Sequence, residues 1–221
     1  MYSTSTSLTS GWSSWQIFAD KGSNTYNSQT TYILPYGDGN VMYMGDRWVS
    51  KDLASSTYIW LPLTISGTTV TMKNQVNWVP NLAANTAWAT GSSEASYEGE
   101  SGTIGGKART VDCSDCSGKK AMGYIGGPDA GTLTISGVKG PAGGGLTSVR
   151  VKYVNGESKA RYANVKVNGA SAVRLAFLPS GSGSGSSTLN VQLKSGDNTL
   201  VFEGVDGGWG PDIDRVLVPS Q

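Results

Sequence analysis

The segments LTSVRVKY (Leu146–Tyr153) and ARYANVKV (Ala160–Val167), with Asn155-Gly156 between them and Asn168-Gly169 after them, decide the fold. Each is rich in β-branched and aromatic residues, which suit a pleated, half-buried surface. Asn-Gly after such a run permits positive φ and signals a hairpin turn. Similar runs, punctuated by Gly, Asn, Asp and Ser, predict further strands at Tyr97–Ser101, Thr110–Val111, Lys120–Ile125, Gly131–Val138, Ala172–Leu178, Ser187–Leu193, Asn198–Glu203 and Ile213–Val218. Their spacing, roughly 10–13 residues, fits a β-sandwich. The low-complexity stretch Ser180–Ser187 reads as a flexible surface loop between strands.

Helical periodicity is nearly absent from the N-terminal part too. Strands are predicted near Trp12–Ala19, Thr30–Pro35, Val41–Trp48, Thr57–Ile65 and Thr68–Lys73. Gly37-Asp38-Gly39-Asn40 and Ser66-Gly67 are the turn signals between them. This is an antiparallel meander, as in a propeller blade or part of a barrel. Residues 83–96 (AANTAWATGSSEAS) are small and polar and read as a linker. The expected organisation is therefore 1–82, a linker at 83–96, and a sandwich at 97–221.

Composition narrows the function. The chain has 221 residues, no His, 2 Cys and only 15% charged residues, with a formal net charge of +1. Without His there is no Ser-His-Asp or Cys-His triad within this chain and no His-based zinc site. A near-zero charge gives no support for nucleic-acid or anionic-membrane partners, and the apolar runs fall short of the ~18 residues of a membrane helix. Trp and Tyr number 7 and 10 against 3 Phe. Aromatics with a polar handle suit wet, hydroxyl-rich ligands, although half-buried strand positions account for most of them.

Cys113 and Cys116 form a C-x2-C pair. Zinc would need two more ligands, and a thioredoxin-like site would need a βαβ context. The preferred reading is a local disulfide in an oxidising compartment, with two free thiols as the alternative. The opening MYSTSTS (Met1–Ser7) has neither a basic nor an apolar region of a signal peptide. A body of extracellular character without such a signal predicts a processed chain or a fragment.

Tyr97-Glu98-Gly99-Glu100 places two carboxylates at i and i+2, on one face of a predicted strand. Pro211-Asp212-Ile213-Asp214-Arg215 repeats the alternation near the other end. If the first and last strands pair, Asp214 approaches Glu98 and Glu100, and three carboxylates with a backbone carbonyl make an oxygen cage suited to Ca2+. The alternative is a solvated acidic strand with Arg215 as partner.

Taken together, YEGE (Tyr97–Glu100), DCSDCSGKKAMGYIGG (Asp112–Gly127), KYVNG (Lys152–Gly156), VKVNG (Val165–Gly169), GDNTL (Gly196–Leu200) and PDIDRVLV (Pro211–Val218) resemble a family 35 carbohydrate-binding module. The resemblance covers about 97–218. It implies a jelly-roll sandwich with one structural calcium, held by Glu98, Glu100, Asp214 and the Lys120 carbonyl. It also implies a sugar site among the loops at one edge, with Tyr124, Arg161 and Asp212 at matching positions and Trp209 as a wall. The chemistry is coherent: an aromatic ring meets the apolar C–H face of a sugar, while Arg donates to its hydroxyls and Asp accepts from them. For Tyr124 and Trp209, core packing is the competing reading. Relatives often carry Asn where Asp212 stands; an Asp accepts but does not donate, which disfavours an anionic sugar and leaves neutral sugars such as galactose compatible.

The N-terminal motifs YNSQTT (Tyr26–Thr31), YGDG (Tyr36–Gly39), VMYMGDRW (Val41–Trp48) and YIWLPL (Tyr58–Leu63) resemble the C-terminal part of a family 43 glycoside hydrolase of the fungal exo-β-1,3-galactanase branch. That implies the last blade or blades of a five-bladed propeller ahead of the module. It implies a ligand on the β-1,3-galactan side of plant cell-wall polysaccharide, a monomer, and secretion. In that branch a Gln stands where an Asp base is expected, and Gln29 matches it. Glycosidases need an acid and an activating group on opposite sides of the bond, and the family's acids come from earlier blades. The expectation is a sugar-binding module that targets a hydrolase, inactive as this chain alone. The alternative is an exo-β-1,3-galactanase whose remaining blades lie outside it. Asp46 and Arg47 are expected to form a structural ion pair.

Overall fold

A computed structural model of the protein describes every residue except 38, 52, 54, 55, 83–87, 182 and 221. The chain divides into two units, Met1–Ser92 and Ser93–Gln221. It is all-β apart from short turns.

In the first unit, β1 (Gln29–Pro35), β2 (Val41–Arg47), β3 (Thr57–Ser66) and β4 (Thr69–Met72) form one antiparallel sheet in the order β1-β2-β3-β4. β5 (Trp78–Val79) and β6 (Ala89–Thr90) make a separate short pair. The meander follows from the turn chemistry: Gly67 takes φ +58° between β3 and β4. One face buries Tyr43, Ile59, Leu61, Leu63 and Met72 against Phe18, Ala19 and Tyr26. Tyr58 and Trp60, which alternate with those on β3, stay exposed. The strand expected at Trp12–Ala19 is absent. That segment is tied down by single bonds, an isolated bridge between Gln16 and Tyr2 and Met72 N–H donating to Phe18 O at 2.7 Å. Asp46 and Arg47 do not pair. Adjacent strand residues point to opposite faces, and Arg47 Nε donates instead to Tyr26 O at 3.1 Å. Of the expected turn at 37–40, residue 38 lies outside the described residues.

The second unit contains β7 (Glu94–Glu98), β8 (Thr103–Gly105), β9 (Arg109–Asp112), β10 (Lys120–Gly123), β11 (Thr132–Gly140), β12 (Gly145–Val154), β13 (Arg161–Val167), β14 (Val173–Phe177), β15 (Gly185–Leu193), β16 (Gly196–Gly204) and β17 (Asp212–Pro219). One sheet runs β15-β12-β17-β10-β9, with β7 also paired to β17; the other runs β14-β13-β16-β11-β8. Between them lies a core that includes Val149, Val151, Leu133, Ile135, Val165, Phe177, Leu200, Phe202, Val216 and Val218. On β12 the alternation is clean: Val149, Val151 and Tyr153 point inward between partly or fully exposed neighbours, as a sheet with one wet face requires. Of the expected linker, 83–87 lie outside the described residues, while Ala89–Thr90 and Glu94–Glu98 are paired strands. In the Ser-Gly stretch, 182 lies outside the described residues and the strand β15 already begins at Gly185.

The two Asn-Gly signals have different fates. Asn168 and Gly169 take φ +51° and +75° and join β13 to β14, which pair with each other. Asn155-Gly156 is not a hairpin turn, because β12 and β13 belong to different sheets. Asn155 is instead fully buried and donates from Nδ2 to Lys159 O and Phe177 O, both at 2.9 Å.

Candidate functional site

Two constellations lie in the second unit. The first surrounds Asp214. On one side of β17, pairing passes from β10 (Met122 opposite Ile213) to β7 (Glu98 opposite Arg215). On the other side, Lys152 and Tyr153 of β12 oppose Arg215 and Ile213, so Asp214 is the extra residue of a bulge. Bulges re-aim a side chain, and this one is 1% exposed. The termini pair as the acid motifs required. The two glutamates, however, do not share a strand face: β7 ends at Glu98, and Gly99–Ser101 form a 3-10 turn that carries Glu100. Gly99 makes the approach possible, since a Cβ there would sit 2.7 Å from Ile213 O and 2.9 Å from Asp214 O.

Cys113 and Cys116 are joined in a disulfide that closes the neighbouring loop. Immediately after it, Ser117 N–H donates to Asp214 Oδ1 at 3.0 Å. Next in sequence, a Cβ on Gly118 would sit 2.8 Å from Glu100 Oε1. Lys120 turns its ammonium to Asp112 at 2.5 Å. Glu98 Oε1 accepts from Ser96 Oγ at 2.8 Å. Glu98 Oε2 and Glu100 Oε2 are buried with no hydrogen-bond partner among the described residues. Arg215 Nε stands 3.9 Å from Asp214 Oδ2, beyond hydrogen-bonding distance. Burial pushes the Asp214 carboxyl above the usual carboxylate range; Arg215 and the Ser117 N–H oppose this, and Glu98 and Glu100 add to it. Asp214 is thus buried rather than solvated, while Glu98 and Glu100 are half-buried. Among the described residues, no three acidic or Cys side chains stand together as a ready-made metal cluster. Yet orphaned, buried anionic oxygens are costly without a cation, and an all-oxygen set is the donor chemistry of a hard ion such as Ca2+.

The second constellation is a cavity of about 410 Å3 lined by Val111, Tyr124, Arg161, Trp209 and Asp212. Val111 lies on β9, Tyr124 follows β10, Asp212 opens β17, and Arg161 opens β13 of the opposite sheet. All four residues singled out for a sugar site thus meet in one place. Neither aromatic is core, each being 41% exposed. Tyr124 adopts φ +61°, strained for a non-glycine residue. Its ring is gripped from two directions: Arg109 Cζ lies 3.6 Å from its centroid, and Trp209 meets it edge-on at 5.8 Å and 86°. Trp209 is seated by Gly127, where a Cβ would fall 2.4 Å from the indole six-membered ring. Arg161 donates from Nη1 to Gly210 O at 3.0 Å and from Nη2 to Glu157 Oε1 at 2.9 Å. Burial pushes the Asp212 carboxyl up, and Arg161 pulls it back. The cavity thus offers fixed aromatic surface, cationic N–H donors and a carboxylate acceptor. Val111 and Arg109 escaped the sequence reading, because nothing in a short strand-like run marks its neighbour across a sheet.

In the first unit, Gln29 is exposed at the start of β1, opposite Asp46. Just before it, Asn24, Thr25, Tyr26 and Asn27 all take φ between +48° and +59°, a left-handed turn that costs energy at each non-glycine residue. Tyr26 anchors it, its hydroxyl donating to Met72 O at 3.1 Å.

Comparison with known proteins follows the two units. A family model described as "CBM13-like: Alpha-galactosidase, CBM13 domain" matches residues 132–218. No curated protein sequence matches the chain. Among solved structures, the exo-beta-1,3-galactanase of Phanerochaete chrysosporium with galactose is 35% identical over 98% of this chain, with a TM-score of 0.68. A variant of that enzyme with beta-1,3-galactotriose gives the same identity, coverage and TM-score. The chain spans about half the length of that enzyme, 49%. The family 35 carbohydrate binding module of Clostridium thermocellum is 27% identical, covering 57% of this chain and 98% of that module, with a TM-score of 0.52. The chain is therefore similar to an exo-β-1,3-galactanase along nearly all its length and, over 57% of its length, to a family 35 carbohydrate-binding module.

Proposed function

We propose that residues 93–221 form a saccharide-binding module, stabilised by calcium, that recognises galactose-containing polysaccharide of the β-1,3-galactan type. The observation that carries this reading is the convergence of Tyr124, Arg161, Trp209 and Asp212 on one cavity. Aromatic surface takes the C–H face of a sugar, Arg161 donates to its hydroxyls, and Asp212 accepts from them. The preference for galactan is supported by similarity to an enzyme whose structures hold galactose and β-1,3-galactotriose. Calcium would be held by Glu98, Glu100, Asp214 and the Lys120 carbonyl. When bound, it would supply the positive charge that the buried Asp214 and the orphaned oxygens of Glu98 and Glu100 lack. A disulfide and a saccharide ligand fit an extracellular protein; no described helix is long and apolar enough to cross a membrane.

Calorimetry with β-1,3-galacto-oligosaccharides in the presence of calcium tests the reading. Heat of binding that disappears in Asp212→Ala and Trp209→Ala is the expected result. No heat with wild-type protein at millimolar sugar overturns it.

The similarity along 98% of the chain favours a second role for the parent molecule. In that reading the chain belongs to an exo-acting galactan hydrolase, with Gln29 part of a site completed by residues outside this chain. Release of galactose from β-1,3-galactan by this chain alone would show that it needs no completion; no release, with a longer form active, is the expected outcome.

A further inference from the structure

A second cavity, of about 450 Å3, is lined by Glu157, Ser158, Lys159, Ala160, Arg161 and Trp209. Arg161 and Trp209 also line the first. The two cavities therefore adjoin, with one indole and one guanidinium common to both. Gly127 packs against the indole and fixes this wall. The guanidinium is fixed by Gly210 O and Glu157 Oε1, and both bonds leave further N–H donors for ligand oxygens. The loop carrying the second cavity is itself built on the buried Asn155, whose Oδ1 accepts from Glu157 N–H at 3.1 Å and whose Nδ2 donates to Lys159 O at 2.9 Å. Lys159 is exposed, and its ammonium makes no ion pair among the described residues. The second cavity thus presents an aromatic wall, a hydroxyl and cationic donors, which is what an oxygen-rich pyranose ring requires.

We propose that the two cavities form one extended site that binds two adjoining units of an oligosaccharide, the second lying between Trp209, Arg161 and Lys159. This rests on the saccharide-binding reading above. One unit occupies the Tyr124–Asp212 cavity, its neighbour occupies the Glu157–Ala160 loop, and the glycosidic link passes over the shared wall. The ligand class is accordingly an oligosaccharide, and a single sugar fills only half the site. Asn155 is the positioning residue for the second half.

The experiment compares galactose with β-1,3-galactobiose by calorimetry in calcium-containing buffer. Galactobiose is expected to bind about tenfold tighter or more, the equivalent of one well-made extra subsite. Ser158→Trp, which fills the second cavity from an exposed loop position, should bring the ratio of galactobiose to galactose affinity down to about one. Lys159→Ala should remove part of the gain. Equal affinities of the wild type for the two sugars overturn the second subsite and leave the first intact. A gain that survives Ser158→Trp also overturns it. Binding of neither sugar overturns the saccharide-binding reading itself.

Discussion

The first unit spreads its aromatic residues over a sheet face, whereas the second closes two sheets on each other. In Met1–Ser92, Tyr32, Tyr58 and Trp60 stand more than half exposed on the four-stranded sheet, and among the described residues the buried cluster is Tyr43, Ile59, Leu61, Leu63 and Met72. In Ser93–Gln221, both sheets contribute side chains to one core, and the most exposed aromatics include Tyr124 and Trp209, which line the cavity. A single sheet buries one face only and leaves the other wet; two facing sheets bury both inner faces and free their loops for binding.

The largest expected effect tests this difference directly. Phe202→Ala should cost the sandwich about 3–5 kcal/mol, whereas Leu61→Ala should cost the four-stranded sheet about 2 kcal/mol, since a thin layer collapses around the loss more easily. Urea unfolding followed at separate probes reads both; a larger loss at Leu61 would break the comparison. Next in size, calcium at a hundredfold excess over its dissociation constant should stabilise the sandwich by about 2.7 kcal/mol, and chelation should remove that gain. The first unit should not respond. A sandwich melting curve that is unchanged in excess chelator would sink the calcium assignment.

Arg161→Ala should weaken saccharide binding by about 1.5–3 kcal/mol, the range for hydrogen bonds from a charged group, with little change in the first unit's unfolding. Retained affinity would show that the aromatic wall alone suffices. The smallest effect is one of pH. Burial raises the pKa of Asp212, so its carboxylate is protonated at a higher pH than an ordinary aspartate as the solution is acidified. Saccharide affinity should therefore fall as pH drops through that raised value. Asp212's own contribution to the stability of the free sandwich rises over the same window, because the unfolded state holds its proton less tightly than the folded one. Affinity that stays flat down to the ordinary aspartate range would show that Asp212 does not accept from the ligand.

Most strands were legible because their runs of β-branched and aromatic residues are local. Thr57–Ile65 and Leu146–Tyr153 are close to the observed β3 and β12. Trp12–Ala19 is also rich in aromatic residues and is no strand, because composition does not reveal whether a partner edge exists. The two Asn-Gly pairs make the same point, since a turn needs flanking strands that pair, which Asn168-Gly169 has and Asn155-Gly156 lacks.

The sequence by itself determined the all-β class, the turn residues and the chemical types at the two constellations. Only the tertiary structure decided how those groups meet. Asp214 is re-aimed by a bulge, Glu100 arrives on a 3-10 turn, and Arg161 reaches the cavity from the opposite sheet. Strand propensity is set within a few residues, but a binding site depends on registers and close approaches between segments far apart in the chain. Those are fixed by packing, such as Gly99 against Asp214 O and Gly127 against the Trp209 ring.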